Sequence, residues 1–298
     1  FRSPARHEGP EVGGEVTAEA AGALGLAGSS PRAKVVAGAG DNAGGAVGVG
    51  VTEPGDGFVS LGTSGVIFTV SDAHRACPER TVHAFCHCLP RRWHQMAVTL
   101  SAAQSLSWLA GVLRAPVGEL LGELEAAGTT RTDVLFLPYL SGERTPHNDP
   151  EATGMFFGLT AATDRPALTL AVLEGVAYSM ADGIAALEAG GIRIRDLAII
   201  GGGARSPRWR QILADVTGRS IVLHGGGEVG PGLGAARLAR LGAGGDFSDE
   251  AIRRICPKPE LLARALPEGG QRDRHGARLE TYRALYRSTR DLMADRQR

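Results

Sequence analysis

The chain reads as an α/β protein with a mixed sheet, and three observations carry that reading. Short β-branched or aromatic runs alternate with longer segments of helical period. The stretch GFVSLGTSGVIFTV (57–70) breaks into two strands at Gly62, Thr63, Ser64 and Gly65, a hairpin signature that brings antiparallel pairing into the sheet. LAII (197–200) runs through three glycines into a segment opened by Ser206 and Pro207, the pattern of a buried strand, a tight turn and a capped helix.

Residues 1–34 are polar and punctuated by Gly and Pro, with a helix over 17–26 behind Thr17 as N-cap. A short buried strand is expected at 33–37. It leads into GAGDNAGGAVGVG (38–50), whose second half reads as a small-residue helix or turn. The 57–70 hairpin precedes strands at 81–88 and 93–98, helices at 100–113 and 116–126, and a strand at 134–138. Residues 166–189 repeat apolar side chains at helical spacing, from Leu170 through Leu173, Val176, Met180 and Ile184 to Leu187, which predicts a long helix. Beyond 197–200 come a helix over 206–216, a strand at 221–223 and a helix over 230–241. The tail from Phe247 is charged and reads as helical, especially over 278–293.

At 298 residues and 43% hydrophobic composition the chain can bury a large core. A net charge of zero argues against a nucleic-acid partner held by a general basic field. Every basic residue except Lys34 and Lys258 is arginine, which reads as coding bias and carries no function. Four cysteines, Cys77, Cys86, Cys88 and Cys256, are too few for a disulfide framework. No apolar run reads as a membrane span and no basic-then-apolar leader is visible. A cytoplasmic protein with no membrane partner is therefore expected. The sequence starts at Phe1 and its first Met is Met96, so a longer protein is expected around it.

GAGDN places one carboxylate and one amide among small residues. Glycine allows close backbone approach, and apolar neighbours that desolvate a carboxylate make it a better base. Asp41 is then a catalytic base in a small-residue cradle or a helix N-cap, and these residues alone favour the cap. Gly62, Thr63 and Ser64 present consecutive N–H groups and hydroxyls, an anion nest or a plain tight turn. Gly201, Gly202, Gly203 and Ala204, between strand and helix, let a ring or phosphate lie against bare backbone.

A dinucleotide fingerprint fails there. The spacing from Gly201 is G-x-G-x-x-S, and His224 and Gly225 stand where the ribose-binding acid belongs. Neither lysine completes a P-loop, and no protein-kinase glycine loop and lysine strand is present. In HAFCHC (83–88) a strand sends the two histidines and the two cysteines to opposite faces, whereas a tetrahedral metal needs them to converge. A packed strand is favoured, and no metal ligand is assigned. In SGERTPHNDP (141–150), Glu143 and Arg144 form a pair, order the wall of a site, or belong to a surface loop.

Together these blocks resemble the FGGY carbohydrate kinase family. The resemblance rests on GAGDNAGGAVGVG, SLGTSG, HAFCH, LSAAQSLSWLAG, FLPYLSGERTPHNDP, GMFFGLT, AVLEGVAYSMADG, IIGGGARSPRWRQILADVTG and GPGLGAARLA, in order from about residue 16 to the C-terminus. Residues 154–174 nearly meet a family signature and depart from it at Ala167, where an acid or amide belongs. Within the family, DN of GAGDN with ERTPH points to kinases of D-xylulose rather than glycerol.

The resemblance implies an actin-like ATPase (ribonuclease H-like) fold of two lobes around a cleft. It divides the chain into the end of a first lobe (1–51), a nucleotide-binding second lobe (52–245) and a helical tail (246–298). It implies Asp41 as base on the sugar hydroxyl and Asn42 as a sugar contact. It implies ATP at Gly62, Thr63 and Ser64 and at Gly201, Gly202, Gly203 and Ala204, with Gln211 behind, and Mg²⁺ on the phosphates. A first phosphate hairpin, D-x-G-T, is missing. The expected partners are D-xylulose or a related small sugar, ATP and an absent N-terminal lobe, and a homodimer stays open. The alternatives are another FGGY sugar or polyol kinase and a non-catalytic nucleotide-binding remnant.

Overall fold

A seven-stranded mixed sheet organises the computed structural model, which describes residues 7–28, 32–226 and 230–295. Ahead of it come β1 (Val12–Glu15), α1 (Ala18–Ala23), β2 (Lys34–Val36) and α2 (Asp41–Gly48). The chain continues through β3 (Gly57–Leu61), β4 (Gly65–Ser71), β5 (His83–Cys86), β6 (Trp93–Thr99), α3 (Ala103–Leu113) and α4 (Val117–Ala126). Next are β7 (Leu135–Leu137), β8 (Met155–Phe157), α5 (Arg165–Ala189), β9 (Leu197–Ile200), α6 (Pro207–Thr217) and β10 (Ile221–His224). The described elements end with α7 (Gly230–Gly244), α8 (Asp249–Ile255), β11 (Leu261–Ala265) and α9 (Gly269–Asp295).

The strand order is β11-β10-β9-β3-β4-β6-β5. β3, β9 and β10 are parallel, and the remaining neighbours are antiparallel. The alternation of the 57–70 hairpin divides its side chains between two buried faces. Val59, Leu61 and Ile67 pack toward α3, α4, α5 and α6. Phe58, Phe68 and Val70 pack toward Ala46 and Val49 at α2. The expected α/β architecture, a mixed sheet flanked by helices, is present.

Three expectations need correction. The strand expected to be buried at 33–37 is not: β2 pairs with β1 in a two-stranded ribbon, where Lys34 and Val35 are exposed. Its apolar run marked β propensity, not burial. The tail is not helical throughout: β11 adds to β10 as an edge strand, antiparallel over Ile221–Ala265 to Leu223–Ala263 pairs. With four of its five residues outside the buried class, it lacks the apolar alternation of an inner strand. Finally, α5 is long and apolar enough to cross a membrane, although no such run was expected. Its apolar window is 94% buried, so its all-round hydrophobicity serves the core.

The tail is tied to α5 by charge. Arg274 and Arg278 hold Glu174 at 3.0 and 3.1 Å, and Arg283 holds Asp182 at 2.7 Å. Both carboxylates are buried, and burial pushes both upward while the guanidiniums pull them down. Removing one member of such a pair strands a charge in the core, at a cost of about 3–5 kcal/mol.

Candidate active site

The two glycine turns meet at one end of the sheet. β3 and β9 are parallel neighbours in register from Gly57 with Leu197 to Ser60 with Ile200, so the turns that follow them emerge side by side. Gly201 has φ +89°, and a Cβ there would sit 2.7 Å from the Leu61 carbonyl oxygen. Only glycine fits that backbone. Gly203 presses on Leu61 and on Trp209, whose ring is buried, and Ala204 is buried beside them. A Cβ on Gly202 would meet open space. Thr63 and Ser64 are exposed at the hairpin tip, with hydroxyls available to a ligand. The carbonyls of Thr63 and Gly62 accept N–H bonds from Ala102 and Ala103 at 2.9 and 2.8 Å, which pins the hairpin to the start of α3. Crevices beyond the carboxyl ends of parallel strands are where open α/β sheets bind ligands.

Gln211 lies on α6 behind this corner. Its side-chain Nε2 donates to Asp215 Oδ1 at 3.0 Å and to the Leu266 carbonyl at 2.8 Å, so the amide ties α6 to the segment after β11.

Asp41 opens α2. Gly40 is the N-cap and Asp41 the first helical residue, where a carboxylate is favoured by the helix dipole. Its Oδ1 accepts the Asn42 backbone N–H at 2.7 Å and Asn42 Nδ2 at 3.2 Å. The carboxylate is exposed, so the apolar cradle expected to desolvate it is not formed by the described residues. It faces an open cavity of about 800 Å³ shared with Asn42, Glu8, Cys86, His87 and His94. The glycine turns do not line that cavity.

The small residues around Asp41 have a different use from the one expected. A Cβ on Gly48 would lie 1.8 Å from the Gly230 carbonyl oxygen, and one on Gly234 would lie 1.8 Å from that of Gly44. Residues 44 and 48 on α2 and 230 and 234 on α7 thus let two helix backbones touch. The motif GAGDNAGGAVGVG is in large part the seat of GPGLGAARLA.

In HAFCHC the strand stops at Cys86, so the predicted alternation breaks. Cys86 is exposed while His87 and Cys88 are both buried. His87 Nδ1 accepts the Leu89 N–H at 3.0 Å, and burial lowers its pKa to about 3 and raises that of the Cys88 thiol to about 12. A thiol kept protonated is a poor metal ligand, and the Nδ1 of His87 is already taken by the Leu89 N–H, so both side chains serve packing. Among the described residues no group of three or more His, Cys, Asp or Glu is arranged around a metal site.

Glu143, for which the sequence allows a pair, a site wall or a surface loop, is no surface residue. It is buried at 2% exposure. Thr99 Oγ1 donates to Oε2 at 2.5 Å, the Leu100 and Arg144 backbone N–H groups donate to Oε1 at 3.0 and 2.8 Å, and Ser179 Oγ lies 3.3 Å from Oε2. Burial pushes the carboxyl up to about 7 against these four donors.

The model of the C-terminal domain of the FGGY family of carbohydrate kinases matches residues 57–243, well over half of the chain. The chain belongs to the FGGY family of carbohydrate kinases. Xylulose kinase of Escherichia coli (strain K12) is 46% identical over 294 residues, covering 98% of this chain and 59% of that relative. A crystal structure of a xyloylose kinase from Brucella ovis superposes with a TM-score of 0.88 at 42% identity, over 96% of this chain and 58% of that one. Xylulose kinase from Rhodospirillum rubrum gives 0.84 at 28% identity, over 97% and 57%. This FGGY chain therefore has the actin-like ATPase fold of its family and spans somewhat under three-fifths of the length of its relatives. The matched 57–243 span holds both glycine turns, and Asp41 lies ahead of it.

Proposed function

We propose that this chain is the nucleotide-binding part of an ATP-dependent kinase that converts D-xylulose to D-xylulose 5-phosphate. The observation that carries this is the pairing of two glycine turns at one sheet end, in a chain 46% identical to a xylulose kinase. The adenine side of ATP lies over Gly202, where backbone is bare, with Gly201, Gly203 and Ala204 shaping the floor and Gln211 bracing α6 behind. Thr63 and Ser64 hydroxyls, with Gly62, take phosphate oxygens. Mg²⁺ comes with the nucleotide and neutralises phosphate charge, held mainly by phosphates and water.

Asp41 accepts the proton of the attacking sugar hydroxyl as its oxygen bonds to the γ-phosphorus and ADP leaves. Asn42, anchored to the same carboxylate, holds a neighbouring hydroxyl. Phosphoryl transfer depends chiefly on positioning, so the Asp41 cavity and the glycine turns must be brought to one centre. The first lobe, of which 1–51 is the end, performs that closure and supplies the first phosphate hairpin. The division into 1–51, 52–245 and 246–298 goes with this reading, as does a cytoplasmic enzyme, with a homodimer left open.

A sugar panel on a longer protein carrying the first lobe tests the assignment. D-xylulose should give the highest kcat/KM among ketopentoses, glycerol and gluconate. Preference for another sugar would keep the family and remove this substrate. Nucleotide binding with no sugar phosphorylated would favour the remnant.

A further inference from the structure

Beneath the 62–64 hairpin lies a buried carboxylate to which the reaction scheme gives no task. Glu143 grips the last residue of β6 and the first residue after it, through Thr99 Oγ1 and the Leu100 N–H. Ser179 of α5 shares its one hydroxyl proton between Thr99 Oγ1 at 2.9 Å and the carboxylate Oε2 at 3.3 Å. Thr99 is the ladder partner of Gly65 at the foot of the hairpin. Two residues past Leu100, Ala102 and Ala103 give their N–H groups to the Thr63 and Gly62 carbonyls. Hydrogen bonds at Thr99 and Leu100, two residues of backbone, and hydrogen bonds from Ala102 and Ala103 thus join a loop at 143, the core helix α5 and the hairpin tip.

We propose that Glu143 is a positioning residue for the 62–64 hairpin: its carboxylate fixes the corner between β6 and α3, and that corner fixes the hairpin carbonyls so that the Thr63 and Ser64 hydroxyls face the nucleotide. This rests on reading the hairpin as a phosphate contact. Glu143 itself touches no reacting atom. A buried carboxylate is a costly anchor, and the donors Thr99 Oγ1, Leu100 N–H and Arg144 N–H, with the shared Ser179 hydroxyl beside them, hold it there.

Amide hydrogen exchange at Ala102 and Ala103, measured by NMR beside MgADP affinity, tests the proposal. Glu143→Ala should speed exchange at these two amides by about tenfold while β10 amides stay unchanged, the mark of a local opening. MgADP affinity should fall in step. Glu143→Gln, whose amide oxygen still accepts from Leu100 and Arg144, should restore both. If Glu143→Ala does not fold, Thr99→Val removes one arm of the grip and should give a smaller rise at the same amides. Unchanged exchange at Ala102 and Ala103, or a rise shared equally by β10, overturns the proposal. Should the exchange pattern appear in a chain that binds no MgADP, the phosphate reading fails and the positioning of the hairpin stands.

Discussion

Asp41 and Gly202 make opposite demands on a substitution. Asp41 is exposed beside its cavity, so Asp41→Asn changes little but the charge. In a protein with the first lobe, it should keep nucleotide affinity and lose turnover by about 10²-fold or more, the scale of a missing general base. Steady-state kinetics with D-xylulose check this, and near-normal kcat would remove Asp41 from the role. Gly202 meets nothing within 4 Å of an added Cβ, so Gly202→Val should leave the unfolding midpoint nearly unchanged and weaken MgADP binding by calorimetry. Gly203→Val, driven into Leu61, should instead destabilise the fold. The candidates at 41, 42, 62–64 and 201–204 could be picked out from the sequence because each is a contiguous run of unusual composition. The grip of Glu143 could not, because its donors come from positions 99, 100, 144 and 179, which only the fold brings together.

At the scale of elements, the crossing of α2 and α7 sets where Asp41 stands. Gly234→Ala would place a methyl 1.8 Å from the Gly44 carbonyl oxygen. The helices must separate, at a cost of about 1–3 kcal/mol for overpacking. Urea unfolding should show that loss, and the variant should also displace the N-terminus of α2. An unchanged midpoint would mean that the backbones do not touch. Each helix carries its glycines four residues apart, 44 with 48 and 230 with 234, which was visible in the sequence. Which helix each pair faces was not, since a single chain does not display its long-range contacts. The hairpin, α5, β9 and α6 were legible because alternation, helical period, and the Ser206-Pro207 start are local signals. β11 escaped because an exposed edge strand needs no apolar alternation.

For the whole molecule, buried histidines make acid a solvent of the fold. Burial lowers His87 to about 3 and His94, His147 and His275 to about 4. The folded value of His87 lies below the ordinary 6.5, so the unfolded chain binds the proton more tightly. Its contribution is fully present above pH 6.5 and is lost as pH falls toward 3. Glu143, pushed up to about 7, acts in the opposite sense as pH rises between 4.5 and 7. A comparison of variants separates the two. His87→Asn keeps an acceptor for the Leu89 N–H and loses the titration. Between pH 6.5 and 4.5 it should lose about 2–3 kcal/mol less stability than the parent. Parallel pH curves from urea unfolding would contradict a buried neutral His87.

The central claim is that this chain holds the nucleotide while phosphoryl transfer to the sugar needs the first lobe. Its sheet, the buried α5 and the tail bound to Glu174 and Asp182 form one core among the described residues. Closure over the γ-phosphate, which excludes water, requires a wall on the other side. The most direct measurement is a coupled ADP-release assay with D-xylulose, run on residues 1–298 and on a longer protein with the first lobe. The account predicts MgADP binding but no sugar-dependent ADP release from residues 1–298, and robust release from the longer protein. Sugar-dependent turnover by residues 1–298 alone, or none from the longer protein, would contradict it.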